Sequence, residues 1–138
     1  MKKFPRRVLI VDDDAMMREA LRMILISENH IRDNRKVEVY KIVGEASDGA
    51  TAIDLFMQHS PDLVLMDINM PKMDGLQALE KIRQFDPSAK VMMVSVESKM
   101  HKVREAIMLG ASGFVVKPLN AGNVLDRIEI CFKEGTLK

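Results

Sequence analysis

The sequence predicts a doubly wound α/β fold in one domain, a parallel sheet of five strands with five helices packed on both its faces. Two observations carry this. Short apolar runs alternate with helix-period stretches along the chain, and the runs are apolar throughout instead of every second residue, as strands covered on both faces are. Composition agrees, because 47% apolar and 30% charged residues in a chain of 138 are what a soluble globular domain with one core carries.

The elements follow in order. RVLIV (Arg7 to Val11) is the first strand, and Ala15 to Ile26 the first helix, with Met17, Leu21, Ile24 and Leu25 at helical spacing. YKIVGEA (Tyr40 to Ala46) is the second strand, followed by a helix from Gly49 to His59 with Ala52, Ile53, Phe56 and Met57 on one face. DLVLM gives the third strand and Leu76 to Phe85 the third helix. VMMVSV (Val91 to Val96) and GFVV (Gly113 to Val116) are the last two strands, with a helix from about His101 to Leu109 between them. Ala121 to Phe132 closes the chain as a helix whose buried stripe is Val124, Leu125, Ile128 and Phe132. Asp14 reads as the cap of the first helix and Asp74-Gly75 as turn and cap before the third. The polar segment Ser27 to Glu38 has no clear period and reads as a solvated loop or a frayed extension of the first helix.

Several function classes drop out. A net charge of +1 gives no reason to expect direct nucleic-acid binding. The lone Cys131 cannot form an internal disulfide and reads as packing, and no Cys/His cluster has metal spacing. The apolar run behind MKKFPRR stops at Asp12, Asp13 and Asp14, too short for a secretory signal, and no later run approaches a membrane span. A cytoplasmic setting without membrane attachment is expected. Met16, Met17 and Met23, among the twelve methionines, read as core filling.

In a doubly wound sheet, ligands bind beyond the carboxyl ends of the strands. Those ends carry Asp12 and Asp13, Asp67, Ser95 and Lys117-Pro118, which places carboxylates, a hydroxyl and an ammonium around one cleft. Two carboxylates about 4 Å apart repel by roughly 4 kcal/mol at an effective dielectric near 20. A hard dication such as Mg2+ suits oxygen ligands of this kind. With it, an aspartate oxygen becomes a nucleophile toward a phosphoryl group, and the chemistry then needs mainly positioning and charge neutralisation.

The four motifs VLIVDDD, DLVLMDINMPKMDG, VMMVSVE and GASGFVVKP, in this order and at these intervals, resemble the receiver domain of two-component response regulators, most closely the stand-alone CheY-like type. The likeness runs from about Arg7 to Phe132 of a single domain covering 1–138. It implies the flavodoxin-like strand order 2-1-3-4-5 and a phosphoryl group accepted on Asp67 from a histidine kinase or phosphotransfer protein. Asp13 would be the direct acidic ligand of Mg2+, with Mn2+ as a substitute, Asp12 would assist through water, and the Asn69 backbone carbonyl would complete the set. Lys117 would contact the phosphoryl oxygens, and its bond to Pro118 would be cis. Ser95 would move to bond the phosphoryl group and Phe114 would swing inward with it. A downstream target would then read the face made by the fourth helix, fifth strand and fifth helix. Such a protein is not an enzyme in the usual sense but catalyses its own phosphorylation and dephosphorylation, as a monomer or a phosphorylation-dependent dimer.

Asn69, Val96 and Glu97 stand where the family tunes phosphoryl lifetime. Val96 replaces a residue that is generally small, so slower exchange of small phosphodonors and water is expected, with the fold unaffected. Three other readings exist. The chain could be the receiver part of a larger regulator such as a transcription factor, with an output module following Lys138. It could be an interaction module with impaired turnover, against which Asp13, Asp67 and Lys117 stand intact. It could be a phosphatase of the haloacid dehalogenase type, but that chemistry wants an acid two residues after the nucleophile, where this chain has Asn69.

Overall fold

Val8 and Ile10 point to one face of the first strand, Leu9 and Val11 to the other, and all four are fully buried. That pattern fixes the architecture, since each face of the strand needs its own cover. The computed structural model describes residues 4–32 and 35–134. In chain order the elements are β1 (Arg6–Val11), α1 (Ala15–Ile26), β2 (His30–Arg32), β3 (Arg35–Val37), β4 (Tyr40–Ala46), α2 (Gly49–His59), β5 (Leu63–Met66), α3 (Gly75–Phe85), β6 (Val91–Ser95), α4 (Met100–Met108), β7 (Gly113–Val116) and α5 (Ala121–Glu134).

The main sheet has the order β4-β1-β5-β6-β7, and all its pairings are parallel. Counting main-sheet strands alone, this is the expected order 2-1-3-4-5. On one face, Leu21 and Leu25 of α1 and Val124 and Ile128 of α5 pack on Val8, Ile10, Leu65 and Val94. On the other, Phe56 of α2, Leu79 and Ile82 of α3 and Ala106 of α4 pack on Leu9, Val11, Met66 and Met93. Each large side chain so buried contributes about 1.5–3 kcal/mol.

Carboxylates start three of the helices. Asp14, Asp48 and Asp74 are N-caps, accepting from the backbone N–H of Met16, Thr51 and Gln77, and Asp74 forms a capping box with Gln77. Gly75 opens α3 against the backbone after β5. Its N–H donates to the Ile68 carbonyl at 2.7 Å, and a Cβ there would overlap the Asp67 carbonyl oxygen. The end of β5 and the start of α3 are therefore locked together at the phosphoacceptor candidate.

Two expectations are corrected. The segment from Ser27 to Glu38 is neither a plain loop nor an extension of α1. It holds an antiparallel hairpin in which His30 pairs with Val37 and Arg32 with Arg35, while residues 33–34 lie outside the described residues. Asn29 closes its base: Oδ1 accepts from the N–H of Val39 at 2.7 Å and of Tyr40 at 3.1 Å, and Nδ2 donates to the Tyr40 carbonyl at 3.2 Å. One side chain thereby replaces the ladder partners that three backbone groups would otherwise seek.

The second correction concerns methionine. Met16 and Met23 are 82% and 63% exposed, because the buried stripe of α1 runs through Leu21 and Leu25, and these two lie off it. Met57 is likewise half exposed, on the rim of the α2 face carrying Ala52 and Phe56. Met66, Met92 and Met93 are the methionines that do fill the core.

Candidate functional site

The strand order reverses beside β1, and the carboxyl ends of β1 and β5 lie side by side there, with Asp67 N donating to the Val11 carbonyl at 3.0 Å. Asp12 and Asp67 are therefore held on adjacent strands at the rim. Both are buried, whereas Asp13 is exposed. Carboxylate oxygens of Asp12, Asp13 and Asp67 lie within 4.8 Å of one another.

Lys117 reaches this cluster from the end of β7. Its Nζ donates to Asp12 Oδ2 at 2.7 Å and to Asp67 Oδ2 at 3.3 Å, and its side chain is 9% exposed. The Lys117–Pro118 peptide is cis. Burial raises the Asp12 carboxyl above its ordinary range, further than the bonds from Lys117 and the Asp14 N–H bring it down. Burial acts on Lys117 in the opposite sense, but its bonds to Asp12 and the nearby Asp67 charge outweigh it and hold the ammonium above its usual value.

The remaining residues surround this centre. Asn69 is exposed, and its N–H donates to Asp67 Oδ1 at 3.3 Å. Ser95, fully buried at the end of β6, accepts from the Glu97 N–H at 3.2 Å, and its carbonyl accepts from the Lys117 N–H at 2.9 Å. Phe114 is half-buried on β7 and packs into the core beneath α2, α3 and α4. It pairs in register with Met93, two residues before Ser95, so Ser95 and Phe114 serve the same face of the sheet. Val96 is 63% exposed just beyond Ser95. Glu97 is half-buried and accepts from the Lys99 N–H at 3.4 Å.

The donor set fits a hard divalent cation. Three carboxylates face one ammonium, so two charges are uncompensated within the cluster when all are ionised, and every ligand atom is an oxygen. One contributor escaped the sequence reading. Arg18 Nη1 donates to the Asp12 carbonyl at 2.6 Å, and the only hint in the sequence is its place one turn into α1, from which a helical side chain leans back toward the strand end.

A five-stranded parallel sheet in this order, with acids after its first and third strands and a lysine after its fifth, defines a receiver fold with its acid pocket. The chain belongs to the response regulator receiver domain family, whose profile matches residues 8–129. It is 43% identical over 122 residues to the chemotaxis protein CheY of Bacillus subtilis, covering 88% of this chain and 93% of that one. It is 42% identical over 131 residues to CheY of Treponema pallidum, covering 94% and 84%. Among solved structures, the CheX-CheY complex with BeF3 and Mg2+ from Borrelia burgdorferi matches with a TM-score of 0.82 and 37% identity, over 91% of this chain and 88% of that one. Among the described residues, no helix is long and apolar enough to cross a membrane.

Proposed function

We propose that this chain is a CheY-like switch that accepts a phosphoryl group on Asp67 and reports it through Ser95 and Phe114. The observation that carries this is the convergence on Lys117 Nζ of Asp12 and Asp67, with Asp13 in the same cluster. An Asp67 oxygen attacks the phosphorus of a phosphohistidine donor. The new P–O bond replaces the P–N bond, and the histidine nitrogen leaves and takes up a proton. Hydrolysis reverses the state: water attacks phosphorus, and Asp67 departs as carboxylate with release of inorganic phosphate.

Lys117 is the mobile cation of the site, able to pass from the two carboxylates to the phosphoryl oxygens as a point charge. Asp12, Asp13, Asp67 and the Asn69 carbonyl would hold Mg2+, which when bound neutralises charge on the transferring group. The Borrelia burgdorferi relative solved with BeF3 and Mg2+ supports the same pairing of ligands here. Ser95 supplies a hydroxyl acceptor and donor from a fully buried position, and Phe114 is half-buried on the same face, packed against the core. The surface reporting the change is the one formed by α4, β7 and α5, where Met100 and Val116 are exposed. A histidine kinase or phosphotransfer protein upstream and a target protein downstream complete the scheme.

The test is amide NMR with beryllofluoride, which mimics the phosphoryl group, and MgCl2. Shifts at Asp67, Ser95 and Lys117 that extend to Phe114 and α4, absent in Asp67→Asn, are expected. Shifts confined to the acid cluster would contradict the coupling to Phe114.

A further inference from the structure

Asp13 is the exposed member of the acid cluster, and its side chain has no hydrogen bond or ion pair among the described residues. Its direction therefore depends on the backbone that carries it. Asp12, the residue before it, is held at every polar atom. Its N–H donates to the Ala46 carbonyl at 3.0 Å, Oδ1 accepts from the Asp14 N–H at 2.9 Å, and Oδ2 accepts from Lys117 at 2.7 Å. The fourth tie comes from Arg18, whose Nη1 donates to the Asp12 carbonyl at 2.6 Å. That carbonyl belongs to the peptide unit joining Asp12 to Asp13, so the bond sets the plane from which Asp13 departs.

Arg18 is itself braced. Its Nε lies 3.3 Å from Glu45 Oε1 on β4, and the other oxygen of Glu45 pairs with Arg22. A guanidinium can hold the carbonyl and the carboxylate together through its planar fork, which an ammonium cannot do. The arrangement has a cost for a cation site, since it brings positive charge toward the acids, and Glu45 offsets part of it.

We propose that Arg18 is a positioning residue for the divalent-cation site, acting through the Asp12–Asp13 peptide to aim Asp13; this rests on the reading of the acid cluster given above. The competing roles differ in sign. If Arg18 acted only through its charge, removing it would tighten cation binding. If it served only to staple α1 to β4, removing it would leave binding unchanged. As a positioning residue, its loss weakens binding.

The experiment is a titration of the full chain with MgCl2 at constant ionic strength, followed by amide NMR, for wild type, Arg18→Ala and Arg22→Ala. Arg22→Ala removes the second ion pair of Glu45 without touching Arg18 or Asp12 and is expected to bind as wild type does. Arg18→Ala is expected to raise the Mg2+ dissociation constant by about 10- to 100-fold, the range for losing an outer-shell partner. Binding by Arg18→Ala as tight as that of Arg22→Ala, or tighter, overturns the proposal. Should Arg18→Ala lose cooperative thermal unfolding, Arg18→Lys replaces it with the same expected direction. Failure of the wild type to bind Mg2+ would overturn the cation-site reading itself, so the two failures are distinct.

Discussion

Lys117 Nζ lies closer to Asp12 than to Asp67, at 2.7 Å against 3.3 Å, so the lysine of the last sheet strand is anchored chiefly on the acid of the first. The residues are 105 positions apart, and only the parallel sheet brings them together. Asp67 is left with the weaker hold, which suits the proposed role of its oxygen as the phosphoryl acceptor.

This pairing sets a pH dependence. Asp12 has its proton affinity raised by burial from an ordinary value of 3.8, so the folded chain binds that proton more tightly than the unfolded one. Its contribution to stability therefore falls as pH rises from about that value through the raised one. Lys117 is raised from 10.5, so its contribution is complete below that value and is lost only as pH climbs past the raised one. Thermal unfolding followed by circular dichroism in metal-free buffer checks this: Asp12→Asn should lose the acid-side slope and, because Asp12 is the chief partner raising Lys117, flatten the alkaline one as well. Saturating Mg2+ should stabilise wild type by about 2.7 kcal/mol at a hundred times Kd, and the variant by less.

Gly75→Ala should destabilise the domain, because Gly75 is buried at the start of α3 against the end of β5. The added Cβ overlaps the Asp67 carbonyl oxygen and approaches Ile68 Cα within 2.9 Å, with backbone on both sides that cannot yield. Overpacking of this kind costs about 1–3 kcal/mol, readable as a lower urea midpoint. Because the displaced backbone is that of Asp67, acetyl phosphate should react more slowly as well.

Val96→Ala should act on kinetics alone. Val96 is 63% exposed, so truncation should change stability by no more than about 0.5 kcal/mol. Its methyl groups stand just beyond Ser95, and their removal should speed both acetyl phosphate transfer and hydrolysis of the product. Unchanged rates in a stopped assay resolved by phosphate-affinity gel would rule out Val96 as an obstruction.

Asn29→Ala should release the hairpin from the domain. Three hydrogen bonds join this side chain to Val39 and Tyr40. At about 0.5–1.5 kcal/mol net each, their loss should be visible in denaturation, and hydrogen exchange should quicken across 30–32 and 35–37 while β1 and β5 stay protected.

The main sheet was legible in the sequence because its signal is hydrophobic burial on two faces, as in LVLM, where every residue is buried. The acid cluster was legible for a related reason: Asp12, Asp13 and Asp67 follow strands directly, and parallel topology carries strand ends to one rim. The hairpin was not, because Ile31 and Val37 are too few to set a period, and Asn29, which anchors it, looks like any loop polar residue. Asp33-Asn34, residues of turn-forming type between them, were the available clue. The exposure of Met16 and Met23 was misread because methionine carries little positional information, and the angle around α1 relative to Leu21 and Leu25 decides it.

Phosphoryl acceptance by Asp67 is read directly from the intact mass after incubation with acetyl phosphate and Mg2+. A single phosphoryl-sized gain that disappears with EDTA and in Asp67→Asn is expected. No gain in wild type, in a sample that binds beryllofluoride, would contradict transfer from small donors and point to Val96. No gain and no beryllofluoride binding would contradict the switch itself.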